Sequence, residues 1–381
     1  MYPEKFNNKT NGITQRRWLL SSNPELAKFI TDRIGHGWEK DLTLLKGLEK
    51  FSSDKDLNEL ISIKENNKRR LAEYLKYAQN ETIDPESIFD VQVKRLHEYK
   101  RQLMNILHIM YVYNKMLEDP TYKPAKKTYI FGAKSASGYR RAKAIIKLIT
   151  TVAERINNDR RVNDRLHVVF VENYRVSVAE KIFPAADVSE QISTAGLEAS
   201  GTSNMKFMCN GALTMGTMDG ANIEIVEEAG KENAFIFGLL TEEVQKIERE
   251  HSYNPQEYLE RNPGLAKVVN QLVDGTYDPT HQLFKELHDS LVYGIEGNRA
   301  DVYYVLADFD DYCRAQDEVE KLYADKKAWA KACLKNIANA GKFSSDRTIE
   351  DYVRDIWHLK KVARPVEGSA FSKPAKKTCK K

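Results

Sequence analysis

The sequence predicts an α/β fold built on a doubly wound parallel sheet, and two observations support that prediction. Short apolar runs rich in β-branched residues alternate with stretches of helical periodicity through the middle of the chain. This alternation is typical of βαβ units, in which a helix connects each strand to the next parallel strand. The chain also has 381 residues, of which 41% are hydrophobic, so it can bury a sizeable core.

Ahead of the alternating region the sequence predicts mostly helix. A polar, glycine-containing stretch at residues 6–13 has the character of a turn. Residues 24–48 carry apolar side chains at helical spacing, and the highly charged stretch 57–77 repeats that spacing. Residues 1–86 are therefore predicted to form leading helices.

The alternating region begins at residue 87, and its elements can be read in order. The predicted elements are strand 88–93, helix 99–117, strand 128–131, helix 140–153, strand 166–171, and the short apolar runs 212–215 and 234–238. From residue 241 to about residue 357 the pattern is mostly helical. In a doubly wound sheet the ligand binds beyond the carboxyl ends of the strands, so segments that follow strands are the candidates for function.

The distribution of charge does not indicate a general nucleic-acid-binding surface. The formal net charge is +4, but residues 360–381 hold eight basic residues and one acidic residue, a charge of +7. The remaining 359 residues therefore sum to −3, so the body of the protein is slightly acidic. Residues 359–381 are predicted to be a disordered basic tail.

Targeting and cysteine patterns indicate a cytoplasmic protein. The amino terminus has no apolar signal segment, and no stretch approaches the ~20 apolar residues of a membrane span. The four cysteines form no C-x-x-C pair and no repeated spacing, so neither a disulfide framework nor a zinc site is expected.

The first candidate segment follows strand 88–93 and reads VKRLHEYKR at residues 93–101. It holds the cations Lys94, Arg95 and Lys100 just before a predicted helix. Cations at a helix amino terminus oppose the helix dipole, and a bound anion would offset that cost. A solvated basic face is the alternative, and both interpretations stay open on this segment alone.

The second candidate segment follows strand 128–131 and reads GAKSASG at residues 132–138. It joins a strand to a helix through two glycines, but it is neither G-x-G-x-x-G nor a Walker A sequence. A tight turn between strand and helix is the favoured interpretation.

The third candidate segment is the densest and reads STAGLEASGTSNMKFM at residues 193–208. Its small residues allow backbone N–H groups to converge on an anion, and Thr202 and Ser203 add hydroxyl donors. Asn204 is predicted to cap a helix that contains Lys206, whose apolar neighbours would depress the pKa of its amine, as a Schiff-base lysine requires. A capped helix with a snorkelling lysine is the alternative. Another glycine-rich loop follows at residues 216–224.

Several of these segments closely resemble signatures of the α-glucan (glycogen/starch) phosphorylases. They are VQVKRLHEYKRQL at 91–103, ENYRVS at 172–177 and the block 191–222, together with NKTNGIT at 8–14 and GKFSSDRTI at 341–349. Within the block, EASGTSNMKFM at 198–208 resembles the attachment segment for pyridoxal phosphate. The resemblance runs from about residue 2 to residue 357, and two departures are Gln15, where many members have proline, and Ser203, where animal members have glycine.

The resemblance implies a fold and a domain organisation. Family members have two Rossmann-like domains that face a cleft, the GT-B arrangement, and are roughly twice as long as this chain. The chain is therefore expected to be the carboxyl-terminal, cofactor-bearing half. The expected parts are a hinge segment with leading helices at 1–86, a Rossmann-like domain with extra terminal helices at 87–358, and the tail at 359–381.

The resemblance also implies a role for each site residue. Lys206 would hold pyridoxal 5'-phosphate as a Schiff base. The residues implied around that cofactor are Trp18, Tyr174 and Arg175 near the ring, and Lys94, Thr202, Ser203 and Asn204 at its phosphate. The residues implied for the substrates are Arg95 and Lys100 at the substrate phosphate, and Asn11, Glu198, Ser200 and Gly201 at the glucosyl unit. Catalysis would rest on Lys206, Lys94, Arg95 and Lys100, without a metal.

The implied enzyme is a retaining glycosyltransferase of the phosphorylase type. It would convert an α-1,4-glucan and inorganic phosphate to α-glucose 1-phosphate and a shortened glucan, and the family is commonly homodimeric. Neither a nucleic acid nor a membrane is expected as a partner. Two alternatives stay open, a GT-B transferase that uses a nucleotide sugar and a non-catalytic truncated domain, and so does the activity of the isolated chain.

Overall fold

The computed structural model describes residues 2–360 and contains a parallel sheet at its centre. Its six strands are β1 Ile88–Val93, β2 Lys127–Gly132, β3 Leu166–Phe170, β4 Val188–Gln191, β5 Leu213–Gly216 and β6 Ala234–Ile236. The strand order is β3-β2-β1-β4-β5-β6, and every neighbouring pair is parallel. The predicted doubly wound sheet is therefore confirmed, with its change of direction between β1 and β4.

Fourteen α-helices surround the described sheet, joined in places by short 3-10 turns. They are α1 Pro24–Ile34, α2 Asp54–Gln79, α3 Gln102–Glu118, α4 Arg140–Asn157, α5 Val176–Ala185, α6 Ser203–Cys209, α7 Ala221–Ala229, α8 Thr241–Glu250, α9 Pro255–Arg261, α10 Pro263–Asn270, α11 Lys285–Val292, α12 Phe309–Tyr323, α13 Lys326–Ala338 and α14 Ser345–Tyr352. Every residue of β1 and β2 is buried, as expected for parallel strands with both faces covered by helices.

Several elements differ from the sequence-based expectation, and two of them have a plain physical reason. The first is β4, which was not predicted because it carries the polar residues Ser189 and Glu190 in place of an apolar run, and both are buried. The second is the helix predicted from residue 99, which begins at Gln102. It starts later because Arg101 adopts the left-handed conformation, with φ of 57°. A 3-10 turn occupies Glu98–Lys100 instead.

The leading and trailing parts of the described chain are fastened together. The Ile13 N–H donates to the Phe343 carbonyl at 2.8 Å, and the Ser345 N–H donates to the Ile13 carbonyl at 2.9 Å. Gly12 lies so close to Ser344 that a Cβ atom at residue 12 would stand 2.4 Å from its carbonyl carbon. A residue without a side chain is therefore required at this crossing.

The leading helices also share one hydrophobic core with the sheet. The buried ammonium of Lys68, on α2, donates to the Asp187 carboxylate at 2.7 Å and to the Ser87 carbonyl at 2.6 Å. Lys64 reaches the Pro184 and Ala186 carbonyls at the end of α5. The division at residue 86 stays a prediction.

The carboxyl-terminal tail and the absence of a membrane span were both predicted from the sequence. The basic tail predicted at residues 359–381 lies outside the described residues, apart from its first two positions. Within residues 2–360, no helix has the length and apolar character needed to span a membrane.

A pair of buried carboxyl groups lies between the two central strands. Asp90 of β1 and Glu190 of β4 both accept from the Gln316 amide, at 3.1 and 2.8 Å. Burial raises the pKa of Glu190 well above its ordinary range, and the charge of Asp90 raises it further. Burial also raises the pKa of Asp90, although Lys127 opposes that rise. Burial therefore disfavours the charged form of each member of the pair.

Glu190→Gln is predicted to stabilise the protein increasingly as pH rises. A carboxyl whose folded pKa lies above its unfolded value stabilises the fold most at low pH, and that contribution is lost as pH rises toward the folded pKa. The amide of glutamine is neutral throughout. The free energy of unfolding of the variant minus that of the native protein should grow steadily between pH 5 and pH 8.

Denaturant unfolding at pH 5, 6.5 and 8 measures this difference. Glu65→Gln, on α2, is the control, because Glu65 pairs with Arg69 on the half-exposed face of its helix. A constant difference between Glu190→Gln and the native protein across this pH range would contradict the raised pKa of Glu190.

Candidate active site

The candidate site lies where the strand order changes direction, beyond the carboxyl ends of β1, β4 and β5. Residues 94–101 follow β1, residues 192–202 follow β4, and residues 217–220 follow β5. Because neighbouring parallel strands end at the same edge of a sheet, these three segments meet. Two of the segments identified from the sequence, 93–101 and 193–208, are thus brought together.

Direct contacts join the loops that follow β4 and β5. The Ala221 N–H donates to the Ser200 carbonyl at 2.8 Å. Gly220 has a φ of +52°, and a Cβ atom there would stand 2.6 Å from the Glu198 carbonyl oxygen. Glycine at this position therefore permits the close approach that brings Glu198 and Ser200 into the site.

Lys100 and Glu198 form an ion pair at the centre of the site. The Tyr99 hydroxyl also donates to Glu198 Oε2, at 3.1 Å. Burial acts to raise the pKa of Glu198, but the hydrogen bond from Lys100 and the charge of Lys94 outweigh it and hold that pKa below its usual value. Glu198 is consequently an anion at neutral pH and is poorly suited to donate a proton.

Lys94 is the cation with the most perturbed pKa in the site. Burial and then the nearby charge of Lys100 lower the pKa of its ammonium to about 8, against the opposing effect of the Glu198 and Asp219 carboxylates. Burial likewise works against the charge of Lys100, yet the pKa of Lys100 is raised by its bond to Glu198. Two lysines facing one another create a positive potential that an anion would relieve.

Arg95 stands apart from this ion pair. It is exposed, and its main-chain carbonyl accepts from the Gln102 amide at 3.2 Å. Among the cations predicted here, Lys100 forms the ion pair with Glu198.

Lys206, on α6, has aromatic surroundings. Its Nζ lies 4.2 Å from the ring centroid of Trp18 and 5.6 Å from that of Phe183. The Phe183 ring packs edge-on against Phe207, with centroids 4.4 Å apart. Burial among these rings lowers the pKa of Lys206, because the charged ammonium loses hydration there. A lowered pKa favours the neutral amine, which is the form that attacks a carbonyl group.

The predicted N-cap role of Asn204 is wrong. Helix α6 begins at Ser203, its cap is Thr202, and no side chain accepts a capping hydrogen bond there. Asn204 is buried inside the helix, where its amide donates to Asn222 Oδ1 at 3.0 Å. Asn222 in turn donates to the Gln191 carbonyl at 2.9 Å. The side chain of Asn204 therefore joins α6 to α7.

The remaining small residues of the third segment line its approach to α6. Ser203 Oγ lies 3.3 Å from the Gln191 amide, and Ser200 Oγ donates to the Gly201 carbonyl at 3.3 Å. Thr202, Ser203 and Gly201 are all half-buried, so their polar groups remain reachable from the site.

Tyr174 lies against the end of β2, where it leaves little room for a side chain at residue 132. A Cβ atom at Gly132 would stand 3.3 Å from Tyr174 Cγ and 3.0 Å from Val93 Cγ1. Burial raises the pKa of Tyr174 to about 12. The side chain of Arg175 is exposed and donates to the Asn173 carbonyl at 3.1 Å.

The second candidate segment, residues 132–138, connects β2 to α4. Its backbone accepts from the first segment, with the Lys94 N–H donating to Gly132 and the Leu96 N–H to Lys134, each at 3.0 Å. A connecting turn, the interpretation favoured from the sequence, accounts for these contacts.

Asn11 and Trp18 come from the leading segment, and Trp18 contacts a predicted site residue, Lys206. Asn11 is exposed, and its carbonyl accepts from Arg347 at 3.1 Å. The adjacent Thr10 hydroxyl donates to Glu224 of α7 at 2.6 Å. Trp18 is buried, and its carbonyl accepts from the Asn210 amide just after α6, at 2.7 Å.

Three residues of this site were not identified from the sequence. Phe183 belongs to α5, a helix that was not predicted, so nothing placed its ring near Lys206. Arg101 ends the first candidate segment, where the sequence predicted no role for it, and its guanidinium is fully buried. Asp219 lies in the glycine-rich loop 216–224 that the sequence did flag, and its carboxylate accepts from the Glu198 N–H at 2.8 Å.

Comparison with known proteins gives a consistent result. A family model described as carbohydrate phosphorylase matches residues 1–359. The liver form of glycogen phosphorylase from Homo sapiens is 51% identical over 359 residues, which are 94% of this chain and 42% of that protein. The muscle form from Mus musculus is 50% identical over 357 residues, with 93% and 42% covered. The chain thus spans about 42% of the length of these curated relatives.

Proposed function

Because this chain belongs to the carbohydrate phosphorylase family, we propose that it is the cofactor- and phosphate-binding part of an α-1,4-glucan phosphorylase. The proposed reaction is attack of inorganic phosphate on the terminal glucosyl unit of the glucan, with retention of configuration. It yields α-glucose 1-phosphate and a glucan shortened by one unit. The observation that carries the proposal is the Lys206 amine, held against the Trp18 ring with a lowered pKa on the helix that follows the loop of Glu198 and Ser200.

The residues present fit pyridoxal 5'-phosphate by the chemistry of their side chains. Lys206 supplies an amine suited to bond with an aldehyde, and Trp18 and Tyr174 supply apolar surface for a flat ring. Lys94 supplies an ammonium, and Thr202 and Ser203 supply hydroxyl groups, for its phosphate. When bound, this group supplies a second phosphate that exchanges a proton with the substrate phosphate.

Two of the predicted cofactor residues fit less directly. The amide of Asn204 is engaged by Asn222, so it contributes to holding the cofactor through the placement of α6. Arg175 is exposed and would lie at the border of the pocket.

The cations have a clear physical task in this reaction. A substrate phosphate beside a second phosphate experiences strong repulsion, and Lys94, Arg95 and Lys100 offset that repulsion. The pKa of Lys94, about 8, leaves it largely protonated at neutral pH, and a neighbouring anion would raise that pKa further. In the proposed mechanism the substrate phosphate donates the proton to the departing glycosidic oxygen while these cations hold it in position.

Glu198 serves sugar binding rather than proton transfer. Its carboxylate is kept ionised by Lys100, so it accepts hydrogen bonds from glucosyl hydroxyl groups. Ser200 and Gly201 adjoin it, and Asn11 would reach the sugar from the leading segment. Two carboxyl groups at glycosidase spacing are not needed, because the phosphate acts as both acid and nucleophile.

The names of the relatives support glycogen as the type of glucan. Inorganic phosphate and glucose 1-phosphate complete the proposed set of small-molecule partners. We infer a cytoplasmic enzyme that assembles as a homodimer, in keeping with the resemblance to the family. Membership in the phosphorylase family argues against the alternative of a nucleotide-sugar transferase.

Lys206→Ala is predicted to abolish covalent attachment of pyridoxal phosphate, because the amine that reacts with its aldehyde is gone. Incubation with the cofactor, reduction with borohydride and mass spectrometry of the peptides measure the attachment. Lys181→Ala is the matched control, since Lys181 is an exposed lysine on α5. A pyridoxyl label on another lysine, at the same level in native protein and in Lys206→Ala, would contradict the assignment.

Arg95→Ala is predicted to weaken phosphate binding by about 10- to 100-fold, because a charge-assisted hydrogen bond contributes ~1.5–3 kcal/mol. Calorimetric titration of the cofactor-loaded protein with inorganic phosphate measures the change. Arg140→Ala, at the exposed start of α4, is the control. Equal phosphate affinity in the two variants would remove Arg95 from the substrate site.

A further inference from the structure

Asp219 is a buried carboxylate between the two loops of the site, and the proposed mechanism gives it no task. It follows β5 and precedes α7. Its Oδ2 accepts from the Glu198 N–H at 2.8 Å and from the Ser193 hydroxyl at 3.4 Å, and its Oδ1 accepts from the Gly220 N–H at 3.0 Å. One side chain thus contacts the loop after β4 at two separate points.

These contacts belong to a network of hydrogen bonds that begins and ends at Glu198. Ser193 is held through its carbonyl, which accepts from Arg101 Nη2 at 3.3 Å and from the Thr217 hydroxyl at 2.7 Å. Arg101 directly follows Lys100, which pairs with Glu198. The network therefore leads back to Glu198, whose main-chain N–H donates to Asp219.

Asp219 is also one of the charged groups that surround Lys94. The others are Lys100, from the segment after β1, and Glu198, from the loop after β4. Burial and Lys100 disfavour the charged form of Lys94, and Glu198 and Asp219 favour it. Because Glu198 is already paired with Lys100, Asp219 supplies the second negative charge that balances the two lysines.

We propose that Asp219 is a positioning residue of this site, acting through Glu198 and Lys94. Its hydrogen bond to the Glu198 main chain fixes the carboxylate of Glu198 opposite Lys100, and its charge keeps Lys94 in the cationic form that binds phosphate. The inference rests on the proposed function only for the identity of the ligands that Glu198 and Lys94 receive. The positioning itself concerns residues of this chain and is testable without a ligand.

Two variants separate the hydrogen bonds from the charge. Asp219→Asn keeps a carbonyl oxygen that can accept from Glu198 but removes the negative charge. Asp219→Ala removes both. Asp274→Asn is the matched control, because Asp274 is exposed and accepts from the Thr276 N–H in a turn outside the site.

Hydrogen exchange measures the first effect, on the 381-residue chain. The Glu198 amide, read in peptides spanning residues 194–204, should exchange at least about tenfold faster in Asp219→Ala than in the native protein, because it loses its buried acceptor. Asp219→Asn and Asp274→Asn should retain slow exchange. If the Glu198 amide exchanges at the native rate in Asp219→Ala, the anchoring role is wrong.

The pKa of Lys94 measures the second effect, and a purely structural role would not change it. Competitive labelling of amines with acetic anhydride from pH 6 to pH 10, followed by mass spectrometry, reports the pKa of each lysine. In Asp219→Asn the pKa of Lys94 should fall by roughly half a unit or more, since an opposing negative charge has been removed. The pKa of Lys94 should be unchanged in Asp274→Asn.

Asp219→Asn decides the inference even if Asp219→Ala does not fold. An unchanged pKa of Lys94 in folded Asp219→Asn overturns the electrostatic role and with it the proposal. Failure of the proposed function looks different, because native protein would then attach no pyridoxal phosphate at Lys206 while the exchange and labelling results for Asp219 would stand.

Discussion

The buried ion pair between Arg101 and Asp308 is the interaction on which the site depends. Arg101 Nη1 donates to Asp308 Oδ2 at 2.6 Å, and Arg101 Nε donates to the Ile192 carbonyl at 2.7 Å. Asp308 Oδ1 accepts from the Leu239 N–H at 2.9 Å, so the pair joins the ends of β1 and β4 to the chain beyond β6. Removal of either partner would leave a buried charge without a counter-ion, which costs several kcal/mol. The left-handed backbone of Arg101 also sets where α3 begins, and hence where Lys94 and Lys100 lie.

The site draws on both the sheet and the leading segment, because its two chemical functions have different requirements. The cluster of Lys94, Lys100 and Glu198 forms at the ends of parallel strands, which bring Lys100 and Glu198 together from distant parts of the sequence. The amine of Lys206 needs apolar rings, and Trp18 comes from ahead of the first helix while Phe183 comes from α5. Asn210 connects these parts, since it donates to the Trp18 carbonyl and to the Lys206 carbonyl.

The sequence predicted the architecture well because the strand signals were strong in β1, β2 and β3. It missed β4 because Ser189 and Glu190 are polar. The buried Glu190 accepts hydrogen bonds from Gln316 and Tyr312, which are distant in sequence. The segments of the site were predictable from their place after strands, and the role of each residue came from resemblance. Partners such as Asp219 and Phe183 could not be predicted, because their importance arises from tertiary contacts. The cap assigned to Asn204 failed because a tertiary amide bond to Asn222 outweighs local capping preference.

The junction of Ile13 with Phe343 and Ser345 has a consequence for biosynthesis. Residues 343–345 are among the last of the described chain to be translated, whereas Trp18 emerges with the first. The hydrogen bonds of Ile13 with Phe343 and Ser345 therefore arise after nearly all of residues 2–360 have left the ribosome, and such long-range contacts form late. The junction of Ile13 with residues 343–345 is thus among the last contacts within residues 2–360 that can form during synthesis.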